Sequence, residues 1–260
     1  RTASAILNKL DFDFFELLDS VTIARSRKHI ETYYDTTDIG KFPERLKPIT
    51  KSPKLTTLDN VIGFNKIFES LGQLKLSVYA PITYILPSML SKYEDLYDTE
   101  IEGGKSKFRQ VDREKSLQSL MTANLLKRLE SSVYSFRLTL ERLKKLHNKT
   151  LTTINNFNNG KIEDAGLSSI LENEDTDDED LENISEAIIG SKVKIHLADM
   201  DLLSWQHDLE VDLEEINFLL SEMNKITPEH DCKLQDIKMQ IDKKINHPIN
   251  SGNKKILVFS

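Results

Sequence analysis

Residues 124–157 read NLLKRLESSVYSFRLTLERLKKLHNKTLTTINNF, and this stretch decides the fold. Its apolar residues recur in alternating steps of three and four, the spacing that places them along one side of a helix: Leu126, Leu129, Val133, Phe136, Leu140 and Leu143. The sequence contains no Pro or Gly between Val111 and Phe157. The pattern therefore predicts one helix of about 40 residues, about 60 Å long at a rise of 1.5 Å per residue.

A helix with such a long apolar seam needs a partner, and a second seam lies downstream. It has the same spacing and consists of Leu202, Leu209, Leu213, Ile216, Leu220 and Met223. Residues 163–186 between the two seams contain eleven acidic residues and no basic one, which is typical of a solvated connector. We therefore expect a mainly α protein in which about 111–158 and 197–224 form a long antiparallel hairpin or bundle.

The flanking sequence predicts shorter elements. We expect helices over about 6–18, 22–34, 58–71 and 231–245, a short helix that ends near Pro87, and a loop over 99–106. KKILVFS (254–260) reads as a single buried β-strand at the C-terminus, which lacks a sheet within this sequence. The predicted organisation is a helical segment with a proline-containing linker (1–56), a helical insertion (57–230), and a helix and first strand of a truncated further domain (231–260).

Composition narrows the class of protein. The 260 residues carry a net charge of −7, but residues 1–160 hold 25 Lys and Arg against 19 Asp and Glu, and residues 161–260 hold 10 against 23. This asymmetry favours a part that faces a polyanion and a separate acidic part. The single Cys232 excludes an internal disulfide framework. No apolar run or signal peptide predicts contact with a membrane, so we expect a cytoplasmic protein.

Motifs for catalysis are missing from the sequence. GGKS (103–106) ends like a phosphate-binding loop but has Thr99 where the motif needs its first Gly, and no apolar strand precedes it. The six His residues are scattered, without the spacing of a zinc site, and there is no G-x-S-x-G elbow. We therefore expect no catalytic residue, no metal site and no cofactor within this chain.

Three segments carry a family resemblance. VTIARSRK (21–28) with FPER (42–45), NLLKRLESSVYSFRLTLERL (124–143), and DCKLQDIKMQI (231–241) with KKILVFS (254–260) resemble, in this order, the helical region between the two RecA-like lobes of bacterial Swi/Snf-like superfamily-two helicases and translocases. Ala24-Arg25 replaces the double Arg of that family, and Phe42-Pro43-Glu44-Arg45 replaces its Leu-Pro-x-Lys turn. The resemblance implies a piece of an ATP-hydrolysing parent, in which 1–56 follows the first ATPase lobe and 231–260 begins a truncated second lobe. It also implies duplex DNA and the two flanking lobes as partners, with ATP and Mg bound outside this piece.

Basic residues are the candidates for nucleic-acid contact. Residues 105–149 hold twelve Lys and Arg against four Asp and Glu, and a second cluster surrounds Arg25. Such clusters suit phosphate binding, although solvated faces of a helical bundle have the same composition. We predict phosphate contacts from Arg25, Arg27, Lys28, Lys127, Arg128 and Arg137. The alternative is a helical scaffold that binds protein partners through its hairpin or its acidic connector.

Overall fold

The computed structural model describes residues 46–97, 99–100, 107–108, 110–162 and 195–259, together with Arg27, Ile30, Glu31, Asp35, Thr37 and Phe42. The chain divides into two compact units, one of Arg1–Thr50 with Lys243–Ile256 and one of Lys51–Asp242 with Leu257–Ser260. The helix predicted over 6–18, most of the helix predicted over 22–34, and the acidic connector 163–186 lie outside the described residues.

The described part of the chain is mainly helical, which confirms the predicted fold class. Its helices are α1 (Phe64–Gln73), α2 (Leu90–Tyr97), α3 (Gln110–Ser131), α4 (Val133–Asn158), α5 (Leu202–Met223) and α6 (Cys232–Asn246). Short 3-10 turns cover Ser77–Tyr79, Pro81–Tyr84 and Leu197–Asp199, and the two-residue strands β1 (Thr99–Glu100) and β2 (Lys107–Phe108) pair antiparallel. The first two of these turns replace the short helix expected before Pro87, because Pro81 has no N–H to donate to a continuous helix.

The long helix predicted from residue 111 to 157 is interrupted at Ser132, so that prediction is wrong at this point. Ser132 has an extended backbone (φ −162°, ψ 139°), and its hydroxyl accepts a hydrogen bond from the N–H of Ser135 at 3.1 Å. A serine in this conformation caps the helix that follows it by satisfying one of the free N–H groups of the first turn. The chain therefore forms two helices, α3 and α4, that meet at Ser132.

Three helices pack antiparallel around this turn. Gln118 of α3 hydrogen-bonds to the backbone of Lys75, and His147 of α4 lies against Asp212 of α5, which binds Ser77. Gln118 and His147 are about equally far from Ser132 along the chain and reach the same segment, so α4 runs back alongside α3. Lys233, which follows α5, donates to the carbonyl oxygen of Glu130 beside the turn. Therefore α5 runs antiparallel to α4, as the two seams predicted, and α3 is a third helix rather than an extension of α4.

Both predicted seams lie in one continuous core. The fully buried members are Leu129, Val133, Phe136, Leu140 and Leu143 from the first seam and Leu209, Ile216, Leu220 and Met223 from the second. Trp205, the sole tryptophan of the sequence, is buried among them, and its Nε1 donates to the carbonyl oxygen of Ser77 at 3.1 Å. Since each buried aliphatic side chain contributes about 1.5–3 kcal/mol, the seams are the main source of stability of the bundle.

Two irregular segments are tied to the helices by backbone hydrogen bonds. Leu86 donates to the carbonyl oxygen of Asp199 at 2.9 Å, and Asp201 donates to that of Tyr84 at 2.7 Å. Thr57 likewise donates to the carbonyl oxygen of His230 at 3.2 Å. The segment before α1 is therefore fixed to the exit of α5, and the segment before α2 is fixed to its entry.

The C-terminal segment is not the buried strand that the sequence predicted. Residues 253–259 form no strand, and Leu257 and Phe259 are 83% and 91% exposed. A β-strand needs a neighbouring strand to receive its backbone hydrogen bonds, and the described residues place none beside this segment. By contrast, the helix predicted over 231–245 is confirmed as α6.

Candidate nucleic-acid interface

A basic surface follows one helix of the bundle. Between residues 137 and 149 α4 carries five basic side chains, and its single acidic residue is Glu141. The buried residues of α4 recur every three or four positions, and its basic side chains lie between them: Lys145 is exposed and the other four are half-buried. We call the following set the α4 basic face: Arg137, Arg142, Lys144, Lys145 and Lys149. It extends over about 18 Å along the helix.

The lysines of the α4 basic face have no ion-pair partner among the residues that the structure describes. No described carboxylate lies within 4.0 Å of the ammonium groups of Lys144, Lys145 or Lys149. Elsewhere in the same unit lysines do pair, as Lys75 does with Asp208 at 2.7 Å. Cations without an internal partner keep their field available to an external anion.

The sequence-predicted residues of the hairpin lie at one end of this surface. Lys127 is exposed and Arg128 half-buried on α3, and Arg137 is half-buried on α4. All three lie within five residues of Ser132, so the turn brings them to the same end of the α3–α4 pair. The guanidinium of Arg137 stands over the ring of Tyr134 at 5.4 Å, which is a cation–π contact.

The predicted residues near the N-terminus belong to the unit of Arg1–Thr50 with Lys243–Ile256, and only Arg27 among them is described. Arg27 is exposed, and its guanidinium lies 5.5 Å from the centre of the Phe42 ring. Arg25 and Lys28 lie outside the described residues. Arg27 and the α4 basic face therefore belong to different compact units of the chain.

Sequence reasoning did not select most of the α4 basic face. It noted the high density of basic residues over 105–149, but it did not choose Arg142, Lys144, Lys145 or Lys149 as phosphate contacts. The sequence did carry a signal for these residues, because the 26 residues of α4 hold five basic side chains and one acidic one. A count of charges over each predicted helix would have identified the α4 basic face.

A buried polar cluster lies beneath α4 and holds the bundle together. Asp212 accepts hydrogen bonds from the N–H groups of Lys75 (2.7 Å) and Ser77 (2.8 Å) and from the Ser77 hydroxyl (2.9 Å). Leu76, between these two donors, has a left-handed backbone (φ 49°, ψ 45°), which is uncommon for a residue other than Gly. The two N–H groups on either side of it form a concave anion site that the carboxylate fills.

His147 completes this cluster without making it catalytic. Its Nδ1 donates to the carbonyl oxygen of Leu143 at 2.8 Å, and its Nε2 lies 3.6 Å from Asp212 Oδ2, within ion-pair range but beyond hydrogen-bond length. A serine nucleophile needs a base within hydrogen-bond reach, whereas the Ser77 hydroxyl donates to Asp212. All three side chains are buried, so the arrangement is structural.

Two buried carboxyl groups of the bundle have shifted pKa values in opposite directions. Burial tends to raise the pKa of Asp212, but the neighbouring His147 and the hydrogen bonds from Ser77 outweigh it and hold the pKa below its usual value. Burial raises the pKa of Glu114 to about 8, against the opposing effect of backbone N–H groups of Ile82 and Thr83. Glu114 is therefore mostly protonated at neutral pH and Asp212 is ionised.

Other types of site find little support in the described residues. They contain no group of three or more His, Cys, Asp or Glu side chains that could hold a metal ion. None of the described helices combines the length and the apolar composition needed to cross a membrane. A groove of about 680 Å³ beside the turn is lined by apolar side chains such as Phe64 and Val133 together with charged ones such as Lys54 and Asp231, and neither His nor Cys lines it.

Comparison of the chain with models of known protein families, with curated protein sequences and with solved structures finds no match. The likeness to Swi/Snf-like helicases therefore rests on the motifs of the sequence, and the interface described above rests on the charges and the geometry of α3 and α4.

Proposed function

We propose that this chain is a non-catalytic helical module of a Swi/Snf-like, ATP-dependent DNA helicase or translocase, and that it grips duplex DNA through the α4 basic face. The observation that carries the proposal is the row of lysines on α4 without described ion-pair partners. The order of the three family-like segments supports the assignment to an inter-lobe region.

The chemistry of the α4 basic face suits the phosphate backbone rather than the base edges. Duplex DNA carries one negative charge per about 1.7 Å of its axis, so a face about 18 Å long runs beside roughly ten phosphate charges. Lysines meet phosphates as point charges on flexible stems, and such contacts position a protein on the duplex without reading its sequence. We therefore expect binding that depends on salt and little on sequence.

The bundle is suited to transmitting movement. The α3–α4 turn is fixed by the Ser132 cap, and the buried seams join α4 to α5 along their length. A close-packed helical core moves as a rigid body, because its side chains interdigitate without voids. In the proposed parent, ATP and Mg bound by the two RecA-like lobes would drive closure, and this module would carry the grip on DNA with the lobes.

A charge-reversal experiment tests the proposal. The 260-residue protein is titrated against a fluorescent 20-base-pair duplex at 50 mM salt, and Lys144→Glu/Lys145→Glu is compared with Lys238→Glu/Lys243→Glu. The control pair changes the net charge by the same amount on α6, outside the α4 basic face. We expect the α4 variant to bind at least about tenfold more weakly and the control to bind within about twofold of wild type. Absence of duplex binding, or equal effects of both variants, contradicts the proposal.

A further inference from the structure

The outer side of α5 has the opposite charge to α4. The 22 residues of α5 contain six acidic side chains and no Lys or Arg. Three of the six are used inside the protein: Asp212 is buried, Asp208 pairs with Lys75, and Glu222 pairs with Lys225. The other three, Glu210, Glu214 and Glu215, have no cation within ion-pair distance among the described residues.

Apolar side chains are interleaved with these carboxylates. Leu203 is 80% exposed, Val211 39% and Phe218 38%, and they are separated by eight and seven residues. Steps of seven and eight residues correspond to about two helical turns, so the three side chains share one side of α5. Glu210 and Glu214 lie on that same side, opposite the core positions of α5. We call these five residues the α5 outer face.

The charges of the α5 outer face are unfavourable without a partner. Glu210 and Glu214 are spaced i, i+4, where like charges destabilise a helix. Gln206 donates a hydrogen bond to the Glu210 carboxylate at 2.8 Å, but this donor is neutral and does not compensate the charge. A cation that approached from outside would relieve this repulsion.

We propose that the α5 outer face docks a basic amphipathic helix of a protein partner. The apolar seam of that helix would cover Leu203, Val211 and Phe218, and its flanking Lys or Arg side chains would meet Glu210 and Glu214. Interleaved apolar and charged positions of this kind are how paired helices select one another. The contact extends over about 22 Å from Leu203 to Phe218, which a partner helix of about four turns would cover.

The carboxylates and apolar side chains of the α5 outer face do not suit nucleic acid or a second copy of this chain. A row of unpaired carboxylates repels nucleic acid, so the face is distinct from the α4 basic face. A second copy of this chain could offer its α4 basic face, but apart from Tyr134 the solvent-facing positions of that face carry no exposed apolar residue to cover Leu203 and Phe218. The occupant therefore needs both cations and an aliphatic seam on one helix.

The experiment uses the 260-residue protein and two synthetic helical peptides that share a leucine seam. One peptide has Lys at the flanking positions and the other has Glu at the same positions. Binding is measured by fluorescence anisotropy at 150 mM salt. We expect the lysine peptide to bind and the glutamate peptide not to bind. Equal binding of both peptides, or binding of neither, overturns the proposal.

Variants locate the binding surface. Leu203→Ser/Phe218→Ser removes the apolar contribution without changing the charge, and Glu210→Gln/Glu214→Gln removes the charges. We expect each to weaken the lysine peptide by roughly tenfold or more, and Glu130→Gln/Glu229→Gln, a control with the same change in net charge, to leave affinity within about twofold. All six residues are on the surface, so the variants should keep the wild-type circular dichroism spectrum. An unchanged affinity in the serine variant overturns the proposal, as does sedimentation that shows a dimer dissolved by the same variants.

Discussion

Replacement of Asp212 by Asn should destabilise the bundle more than removal of a charge at its edge. The carboxylate accepts three hydrogen bonds, from two backbone N–H groups and one hydroxyl, and lies beside His147 in a site without solvent exposure. An asparagine keeps the shape but removes the charge and one acceptor oxygen. It would leave a buried donor unsatisfied and His147 without its neighbouring anion.

The magnitude follows from these contacts. Removal of one hydrogen-bond partner that leaves a buried group unsatisfied costs about 1–3 kcal/mol, and more where the lost partner is charged. The carboxylate also holds the left-handed backbone of Leu76, a conformation that itself costs about 1–2 kcal/mol for a residue with a side chain. We therefore expect Asp212→Asn to lower the free energy of unfolding by about 2–4 kcal/mol at pH 7.

Asp208 provides a matched control one turn earlier on α5. It pairs with the exposed ammonium of Lys75 and accepts from the hydroxyl of Tyr84 at 2.8 Å, at the edge of the bundle. The Lys75 side chain is 57% exposed and that of Asp208 15%. Ion pairs open to solvent on one side contribute about 0–1 kcal/mol, so Asp208→Asn should cost about 1 kcal/mol. The free energy of unfolding of both variants is measured by urea titration. The signal is the fluorescence of Trp205, whose indole donates to the Ser77 carbonyl oxygen. Equal costs for the two variants would refute the reasoning.

The pH dependence of this cost has a defined sign. Because the pKa of Asp212 in the folded protein is below its usual value of 3.8, its contribution is present above that pH and is lost as the pH falls further. The difference between wild type and Asp212→Asn should therefore shrink in acid. A difference that stays constant from pH 7 to pH 2 would show that charge is not the cause.

Three further predictions concern the rest of the bundle. The pKa of Glu114 is raised from 4.5 to about 8, so its contribution to stability is present below pH 4.5 and lost as the pH rises through 8; Glu114→Gln should be more stable than wild type at pH 9 and not at pH 4, in urea titrations at both pH values. Ser132→Ala removes the cap of α4 and should cost about 1 kcal/mol in the same assay, with Ser119→Ala as a surface control near zero. Phe136→Ala opens a cavity in the core and should cost about 3–5 kcal/mol, whereas Tyr134→Ala, 59% exposed, should cost less than about 1 kcal/mol.

Periodicity predicted the core well because burial in a helical bundle depends on which side of a helix a residue occupies. Phe136 and Leu140 are fully buried for this reason, as is Ile216 on the facing helix. Ser132 lies within the same pattern, and the absence of Pro and Gly gave no reason to end the helix there. A serine cap stabilises a break by only about 1 kcal/mol, so the choice between one helix and two is made by packing against α5 and the 75–84 segment.

The exposed C-terminal segment shows where a local sequence pattern fails to predict structure. KKILVFS has the composition of a buried strand, yet a strand is defined by its neighbours, and the described residues supply none. Local preference therefore identified what this segment could form and not what it forms here.

The candidate surfaces depended on information that the sequence does not contain. Whether a lysine is free or paired is decided by residues far away in the chain: Lys75 pairs with Asp208, 133 residues later, while Lys145 finds no described carboxylate. The Asp212–His147 contact is of the same kind, since polar residues within an amphipathic helix are ordinarily assigned to the surface. Charge counts located the basic region, and the fold determined which of its members are available.

The salt dependence of duplex binding tests the central claim, that the α4 basic face neutralises DNA phosphates, most directly. The logarithm of the binding constant should fall linearly with the logarithm of salt concentration, with a slope of about −3 to −5 if most of the five basic side chains each meet a phosphate. Replacement of Lys145 by Gln should make the slope smaller by about one, while Lys238→Gln should leave it unchanged. A slope near zero, or one that neither replacement changes, would contradict the account.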